Sequence, residues 1–239
     1  MALITLNNVS RTYDMGETSI RALSGINLEI EPQTFVSFVG PSGSGKTTLL
    51  NLIGCLDKPS DGEIKVNNVL VNKFDRKDAA IFRGTNIGFI FQNFNLLPVL
   101  TVFENVEYPL IMVQNIGEKE RRERVLKYLD AVGMLDQKDK YPSQISGGQK
   151  QRVAVARALV SDPKLVLADE PTANLDHKSA FMVIELMRKM QRELKTTFIF
   201  STHDPKIVKE AEIIYTLEDG KLVNKEIVTH SNNQTQEKN

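Results

Sequence analysis

Three absences limit what this sequence can encode. A single cysteine, Cys55, cannot form an internal disulfide, and its apolar neighbours predict a buried small hydrophobe rather than a reactive thiol. No stretch approaches the roughly 20 apolar residues that a bilayer-spanning helix requires. The 30 basic and 30 acidic side chains cancel, so the net charge provides no long-range attraction to nucleic acid, and we predict no nucleic-acid partner.

The two ends of the chain also lack particular signals. The first residues, MALITLNNVS, have neither the basic start nor the long apolar core of a secretory signal. Residues 230–239 are polar and show no apolar periodicity, which predicts a disordered tail. Residues 1–229 are long enough for one α/β domain, and a content of 41% hydrophobic and 25% charged residues is ordinary for a globular protein.

Alternating strand and helix signals predict an α/β fold with a mainly parallel core sheet. Residues 3–9 and 26–30 alternate apolar and polar side chains, as half-buried strands do. Residues 35–39 are mostly apolar and precede a glycine turn, and residues 46–56 follow as a helix. Four further strand-like runs occur at residues 63–66, 87–91, 165–168 and 197–200.

The middle of the chain has a different pattern. From about residue 93 to 160 helical signals dominate, and residues 118–132 place four aliphatic side chains on one face, Val125, Leu126, Leu129 and Val132. Gly133 is a plausible end for that helix. We interpret the region as a helical subdomain inserted into the α/β core. No internal repeat is visible, so the chain contains one such unit.

The glycine turn after residues 35–39 matches the phosphate-loop pattern G-x-x-x-x-G-K-[ST]. Its glycines let backbone N–H groups wrap closely around phosphates, and the helix that follows adds its positive end. In such a loop Lys46 bridges the β- and γ-phosphates, the Thr47 hydroxyl binds Mg²⁺, and Thr48 reaches the α-phosphate. The strand and helix on either side disfavour the alternative, a surface turn rich in Gly and Ser. The predicted ATP-binding residues are Gly40, Pro41, Ser42, Gly43, Ser44, Gly45, Lys46, Thr47 and Thr48.

Asp169 and Glu170 follow a buried strand-like run, so both belong at the carboxyl edge of a parallel sheet, near the phosphates. There Asp169 would hold Mg²⁺, directly or through water, and Glu170 is the candidate general base toward the attacking water. Taken alone, the pair also fits a solvated turn. The phosphate loop earlier in the chain favours the functional interpretation.

Three further residues are predicted at the site, each with an alternative. Gln92 follows residues 87–91 and is interpreted as a sensor of Mg²⁺ and the attacking water, although a lone glutamine is normally a surface residue. His203 follows another strand-like run that is predicted to be buried. There its imidazole can hydrogen-bond a γ-phosphate or cap the helix that begins at Asp204. Tyr13 can stack on adenine, although a tyrosine at a strand end is common.

A Ser-Gly-Gly-Gln turn precedes an Ala/Val-rich helix at residues 153–160. Two glycines at a helix start leave several N–H donors unpaired, and a serine hydroxyl beside them completes an anion site. A plain helix N-cap at the serine is the alternative. The predicted residues of this signature turn are Ser146, Gly147, Gly148 and Gln149.

The order of phosphate loop, signature turn and acidic strand end resembles the ATP-binding subunits of ABC (ATP-binding cassette) transporters, over about residues 2–226. The resemblance implies the P-loop NTPase fold of ABC ATPases, with an N-terminal antiparallel β-subdomain, and it implies ATP and Mg²⁺ as cofactors. It also implies a homodimer in which Ser146 of one copy meets the γ-phosphate held by Lys46 of the other. Asp176 would then couple the two sites; alternatively, it is only the N-cap of the helix that starts near His177.

Three segments resemble the branch that contains lipoprotein-releasing and macrolide-exporting ATPases: GCLDKPSDGE (54–63), IGFIFQNFNLLPVLTVFENVEYPL (87–110) and ADEPTANLD (168–176). Ala173 and Lys150 depart from the glycine and glutamine usual in the family, and neither position supplies a group for the chemistry. The resemblance implies a separate transmembrane permease subunit that docks near the apolar segment Phe94–Leu100. It further implies a peripheral location at the cytoplasmic face of the inner membrane.

Other classes of ATPase were weighed against this one. A similar ABC ATPase can signal through a membrane partner to cell-division machinery. A soluble, non-transport ABC ATPase usually has a long coiled coil or a second cassette, and neither is visible in the sequence. A small-molecule kinase is disfavoured because it gives the signature turn no use. We therefore expect an ATPase subunit that drives export or lipoprotein release by a membrane partner.

Overall fold

The structure is a computed structural model that describes residues 1–16, 18–114 and 116–228. Its strands are β1 (Ile4–Met15), β2 (Thr18–Ile30), β3 (Phe35–Val39), β4 (Asp61–Val66), β5 (Val69–Leu70), β6 (Ile87–Phe91), β7 (Leu165–Asp169), β8 (Thr197–Ser201), β9 (Ile213–Glu218) and β10 (Lys221–Ile227). Its α-helices are α1 (Lys46–Ile53), α2 (Arg76–Asn86), α3 (Val102–Pro109), α4 (Glu118–Ala131), α5 (Gly147–Leu159), α6 (His177–Leu194) and α7 (Pro205–Val208). A π-helical segment, Leu110–Gln114, continues α3. The predicted disordered tail, 230–239, lies outside the described residues.

The strands form two sheets. The larger has the order β10-β9-β3-β8-β7-β6, with every neighbouring pair parallel except β9 and β10. The smaller has the order β2-β1-β4-β5 and is antiparallel throughout. The α/β prediction, with a mainly parallel core sheet and an antiparallel N-terminal sheet, is therefore confirmed. Strands β9 and β10 were not predicted from the sequence, although Asp219-Gly220 between them is a typical hairpin turn.

The core sheet has an apolar layer on each face, because successive residues of a strand point to opposite sides. In β7, Val166 and Ala168 pack with residues of α3, α4, α5 and α6. Leu165 and Leu167 pack on the other side, with residues of α1 and the antiparallel sheet. With both faces covered, the carboxyl edge of the sheet is where the fold can present polar groups to a ligand.

Short-range features set the helix boundaries. α1 ends at Ile53 rather than at the predicted residue 56, because Gly54 caps it and Cys55 adopts a left-handed conformation with φ 55°. In the region predicted to be helical from about residue 93, the first helix begins only at Val102, after a loop over residues 92–101. Thr101 forms a capping box with Glu104 at its start. Gly133, with φ 68°, follows the end of α4 and confirms the predicted stop. In the part of the chain described here, no helix is long and apolar enough to cross a membrane.

Gly88 lies where β6 packs closely against α5. A Cβ atom at this position would lie 2.1 Å from the carbonyl oxygen of Ala158, so Gly88→Ala forces strand and helix apart. We expect destabilisation of roughly 1–3 kcal/mol from such overpacking. In a domain of this size that lowers the melting temperature by roughly 2–12 °C in thermal unfolding followed by circular dichroism.

The matched control is Gly117→Ala, at a position where an added Cβ meets open space. Its φ of −61° suits any residue, and because Gly117 is the N-cap of α4, where alanine is less favourable than glycine, we expect a destabilisation of at most about 1 kcal/mol. Equal melting temperatures for the two variants would contradict the packing described for Gly88.

Candidate functional site

The phosphate loop joins β3 to α1 and closes around its own lysine. Lys46 is 6% exposed, and its Nζ donates hydrogen bonds to the carbonyl oxygens of Gly40, at 2.8 Å, and Pro41, at 2.9 Å. Gly40 and Gly45 need to be glycine, since an added Cβ would lie 2.1 Å from the Leu217 oxygen and 2.7 Å from the Ala22 oxygen, respectively. These contacts fix the backbone of the loop around the lysine.

The β9–β10 hairpin turn braces this loop from outside. The N–H of Gly220 donates to the Ser44 oxygen at 3.2 Å, and the Gly220 oxygen accepts from the Ser24 N–H at 2.8 Å. The turn therefore ties the phosphate loop to β2 on its other side. This support escaped the sequence analysis because both strands of the hairpin were missed.

Asp169 connects the phosphate loop to the core sheet. At the end of β7, its carboxylate accepts hydrogen bonds from the Thr47 hydroxyl, at 2.9 and 3.1 Å, and from the Ser201 hydroxyl at 2.7 Å. Ser201 ends the neighbouring strand β8, is fully buried, and accepts the Glu170 N–H at 2.8 Å. Ser201 is a site residue that sequence reasoning missed. Its position at the carboxyl end of an adjacent parallel strand was the available signal.

Glu170 and His203 lie together next to this network. The His203 Nδ1 is 3.2 Å from a Glu170 carboxylate oxygen. Glu170 has φ 44°, a left-handed conformation that costs a non-glycine residue about 1–3 kcal/mol and that is often found at active sites. A cleft of about 200 Å³ is lined by Glu170, Ala22 and residues 42–48. Glu170 therefore borders the same space as the phosphate loop.

Gln92 is the first residue beyond β6. In the β6–β7 register Phe91 pairs with Asp169, so Gln92 follows directly beside the aspartate. Its side chain is exposed, and its carbonyl oxygen accepts a hydrogen bond from Asn174 Nδ2 at 3.1 Å. The same amide group donates to Asn93 Oδ1 at 2.8 Å. Asn174, a second residue that sequence reasoning did not single out, thus links the loop after β6 to the segment after Glu170.

Ser146 is the N-cap of α5, as its alternative interpretation required. Its Oγ accepts the Gln149 N–H at 3.3 Å, and Gln149 Oε1 accepts the Ser146 N–H at 2.9 Å, a reciprocal capping box. The hydroxyl proton of Ser146 remains available to an anion, as do the N–H groups of Gly147 and Gly148, which have no partner within the helix. Capping and anion binding are therefore compatible here.

The signature turn lies apart from the phosphate loop and beside the start of α6. An added Cβ on Gly148 would lie 3.2 Å from Ser179 Oγ, and Ser179 donates its N–H to the Asp176 carboxylate at 3.0 Å. Asp176 is thus the N-cap of α6, and hydrogen bonds from Ser179 lower the pKa of its carboxyl. The residues that line the phosphate-loop cleft do not include Ser146.

Tyr13 belongs to a three-residue cluster. Its hydroxyl donates to Asp57 Oδ2 at 2.8 Å, and Arg11 Nε donates to the same oxygen at 2.9 Å. The Arg11 guanidinium carbon lies 4.4 Å from the centre of the Tyr13 ring. The cluster fixes the plane of the ring and covers one of its faces, so a base would stack on the other. Arg11 and Asp57 were not predicted from the sequence.

Comparison with known proteins assigns the family. The sequence profile of the ABC transporter family matches residues 23–173. The ABC transporter ATP-binding protein MJ0796 of Methanocaldococcus jannaschii is 45% identical over 227 residues, which cover 94% of this chain and 97% of that protein. The macrolide export ATP-binding/permease protein MacB of Syntrophobacter fumaroxidans is 42% identical over 92% of this chain, corresponding to 31% of MacB.

Solved structures agree with this comparison. The dimeric, post-hydrolysis structure of MJ0796 bound to ADP and Pi has a TM-score of 0.87 at 43% identity and covers 95% of this chain and 100% of that chain. CbiO1 of Clostridium perfringens, described as part of the transporter complex cbiONQ, has a TM-score of 0.85 at 32% identity, with 94% of this chain and 88% of that chain covered.

The chain therefore belongs to the ABC transporter family. It is an ATP-binding subunit with ATPase activity, and the fold class and enzyme class predicted from the sequence are confirmed. Such subunits are parts of membrane transporter complexes, which agrees with the predicted class of partner in its general form.

The Tyr13 cluster yields a prediction about nucleotide affinity. Tyr13→Ala removes the ring, and stacking of a base on an aromatic side chain contributes about 1–3 kcal/mol, so we expect the KM for ATP to rise about tenfold or more. The kcat should change little, since the contact is the same in ground and transition states. Steady-state phosphate release at varied ATP concentration measures both constants.

Two milder variants distinguish the contribution of the Tyr13 ring to ATP binding from that of its hydroxyl group. Tyr13→Phe keeps the ring but loses the bond to Asp57, and Asp57→Asn removes the carboxylate that holds both neighbours. Both should raise the KM for ATP by less than Tyr13→Ala does. A Tyr13→Ala subunit with the KM of the unmodified protein would show that the adenine binds elsewhere.

Proposed function

We propose that this subunit binds Mg-ATP between two copies of itself, hydrolyses it there, and so drives a separate transmembrane permease. The observation that supports this most directly is the network at the carboxyl edge of the core sheet. There Thr47 and Asp169 are hydrogen-bonded at 2.9 Å beside the phosphate loop, and Glu170 and His203 lie 3.2 Å apart. A phosphate cradle, metal ligands and a candidate base in one place are what phosphoryl transfer to water requires.

The residues present fit a magnesium ion. The Thr47 hydroxyl and the Asp169 carboxylate are adjacent and supply the oxygen ligands that Mg²⁺ prefers, and Gln92 begins just beyond the neighbouring strand. Within residues 1–16, 18–114 and 116–228, no group of three or more His, Cys, Asp or Glu side chains surrounds a metal position. Mg²⁺ in ATPase sites is usually held by one or two carboxylates together with substrate phosphates. When bound, it neutralises charge on the β- and γ-phosphates.

Each catalytic residue has a separate task in this proposal. Glu170 takes a proton from the water that attacks the γ-phosphate, and its carboxylate lines the cleft where that water would stand. His203 holds the carboxylate through Nδ1, and as an imidazolium, with both ring nitrogens protonated, it can also donate from Nε2 to a γ-phosphate oxygen. Lys46 would turn from its carbonyl partners to the β- and γ-phosphates. Gln92 senses the metal and the attacking water.

The signature turn supports the dimeric part of the proposal. Ser146, Gly147 and Gly148 present anion donors, yet the phosphate-loop cleft of the same chain does not include Ser146. A second copy related by a two-fold axis would supply those donors and create two equivalent sites at one interface. Its relative MJ0796 was solved as a dimer with ADP and Pi. Asp176, beside the signature turn, would couple the two sites.

A groove beside the edge strand β6 supports the membrane partner. This lateral groove has a volume of about 320 Å³, and Asn95 belongs both to it and to the predicted docking segment Phe94–Leu100. Leu97 and Val99 of that segment are 40% and 79% exposed, and such an apolar surface is typical of a docking site. Residues lining the groove include Leu56, Ala80, Arg83, Gly84, Phe89, Phe91, Asn95, Pro109, Arg157 and Ala158.

The relatives narrow the kind of partner. MacB joins an ATP-binding part and a permease part in one protein, and its name assigns it to macrolide export. We infer that the present subunit pairs with a permease of the export or lipoprotein-release type and sits at the cytoplasmic face of the membrane. Purification of the native complex in detergent tests this: a polytopic membrane protein should accompany the subunit.

Replacement of the proposed base gives a direct test of the chemistry. Glu170→Gln keeps the side-chain shape but cannot take a proton, so we expect turnover to slow by about 10²–10⁴-fold while ATP binding is retained. Phosphate release and the affinity for a fluorescent ATP analogue measure the two effects. The control is Glu63→Gln, at an exposed position of β4, and this variant should hydrolyse ATP normally. Unchanged turnover in Glu170→Gln would remove Glu170 from the mechanism.

A mixing experiment tests the shared site. Lys46→Ala and Ser146→Arg should each be inactive as homodimers, because every site then lacks one of its halves. A mixed dimer joins an intact Lys46 to an intact Ser146 at one of its two sites. Equal mixing should therefore restore up to about a quarter of the unmodified rate, since half of the dimers are mixed and each has one working site. A mixture as inactive as its components would contradict a site shared between copies.

A further inference from the structure

Two consecutive residues after β6 adopt a conformation that side chains normally avoid. Phe94 has φ 61° and Asn95 has φ 49°. The left-handed region costs a residue with a side chain about 1–2 kcal/mol, and Phe94 is not among the residue types that tolerate it. The β6 loop, defined here as Gln92–Asn95, must therefore be held in place by contacts from elsewhere in the fold.

Arg157, in the last turn of α5, makes the first of these contacts. Its Nη2 donates to the Phe94 oxygen at 2.7 Å, and its Nη1 donates to the Asn95 oxygen. The planar guanidinium fork thus matches two successive carbonyl groups that the left-handed backbone turns toward it. Burial lowers the pKa of Arg157 to about 10, which still leaves it cationic at neutral pH, so both bonds are charge-assisted.

Asn174 holds the beginning of the same loop. Its amide group donates to the Gln92 oxygen at 3.1 Å and to Asn93 Oδ1 at 2.8 Å. Asn174 precedes Leu175 and Asp176, the segment that packs beside the signature turn. The β6 loop is therefore bound at one end to the signature helix α5 and at the other to the segment that follows Glu170.

The lateral groove reaches the same point. Arg157 and Asn95 both line it, so the bond between them forms part of its wall. A protein segment seated in the groove would contact the guanidinium or the loop it holds.

We propose that Arg157 and Asn174 are positioning residues for ATP hydrolysis, which hold the β6 loop so that Gln92 stands at the catalytic edge. The proposal rests on the role proposed above for Gln92. Neither residue touches substrate in this account. Each acts through the conformation of the loop.

The experiment compares Arg157→Gln, Arg157→Lys and Asn174→Ala in the isolated subunit. We expect Arg157→Gln to lower kcat about ten- to hundredfold, as small misplacements of a catalytic group do, with the KM for ATP almost unchanged because the phosphate loop is untouched. Arg157→Lys, whose ammonium cannot bind both carbonyl groups in the same plane, should have a kcat between that of Arg157→Gln and that of the unmodified subunit. Hydrogen exchange of the amides in residues 93–97 should accelerate in step with the loss of kcat.

The matched control is Arg152→Gln. Arg152 lies on the same helix, but its guanidinium contacts Met182 Sδ at 3.7 Å. The Arg152→Gln variant should keep the kcat of the unmodified subunit, and its residues 93–97 should exchange their amide hydrogens at the unmodified rates. Asn174 is exposed, so Asn174→Ala tests the loop even if a change at Arg157 prevents folding. It should lower kcat and accelerate exchange at residues 92–94.

Gln92→Ala separates the two levels of the proposal. If Gln92→Ala slows hydrolysis while Arg157→Gln and Asn174→Ala do not, the positioning role is wrong and the role of Gln92 stands. If Gln92→Ala hydrolyses ATP at the unmodified rate, the role of Gln92 and the positioning role fail together. A fall in kcat for Arg152→Gln as large as that for Arg157→Gln would also overturn the proposal, because it would indicate general damage to α5.

Discussion

The Asp169 carboxylate is the point on which the arrangement of this site depends. It accepts hydrogen bonds from Thr47 at the start of α1 and from Ser201 at the end of β8, and it ends β7 itself. Hydrogen bonds to a charged group are each worth about 1.5–3 kcal/mol, roughly twice a neutral one. The carboxylate therefore fixes the distance between the phosphate loop and the carboxyl edge of the sheet, and Glu170, one residue further, inherits its position.

Residues with a side chain and a positive φ occur in several turns of the described chain, among them Gln33, Cys55 and Lys195, and also at Glu170 and Phe94. Asn67, Asn68 and Asp219 also have positive φ, but they lie in hairpin turns and belong to residue types that tolerate it. Glu170 and Phe94 do not belong to such types, and each is restrained by a bond across the fold: Ser201 accepts the Glu170 N–H, and Arg157 binds the Phe94 oxygen. Strain maintained by specific contacts is a property of functional segments, because it selects one geometry out of several.

The parts of the site that could be predicted are those encoded over short stretches of sequence. The phosphate loop, the strand before Asp169 and the cap at Ser146 follow from local glycine chemistry, apolar runs and capping rules. Ser201 and Asp169 are 32 residues apart, and Arg157 and Phe94 are 63 apart, so no periodicity or turn rule joins them. The β9–β10 hairpin was missed although its turn was visible, and with it the support that Gly220 gives to the phosphate loop.

Ser146 and Asp176 show why a structural and a functional interpretation of the same residue need not compete. Each caps a helix through an oxygen that accepts a backbone N–H. As the N-cap, Ser146 uses a lone pair of its hydroxyl oxygen and keeps its hydroxyl proton. The glycines beside it have N–H groups that find no partner within the helix. The folded subunit thus presents these anion donors outside the cleft that its own phosphate loop lines. In the function proposed above, a second copy brings a phosphate to those donors.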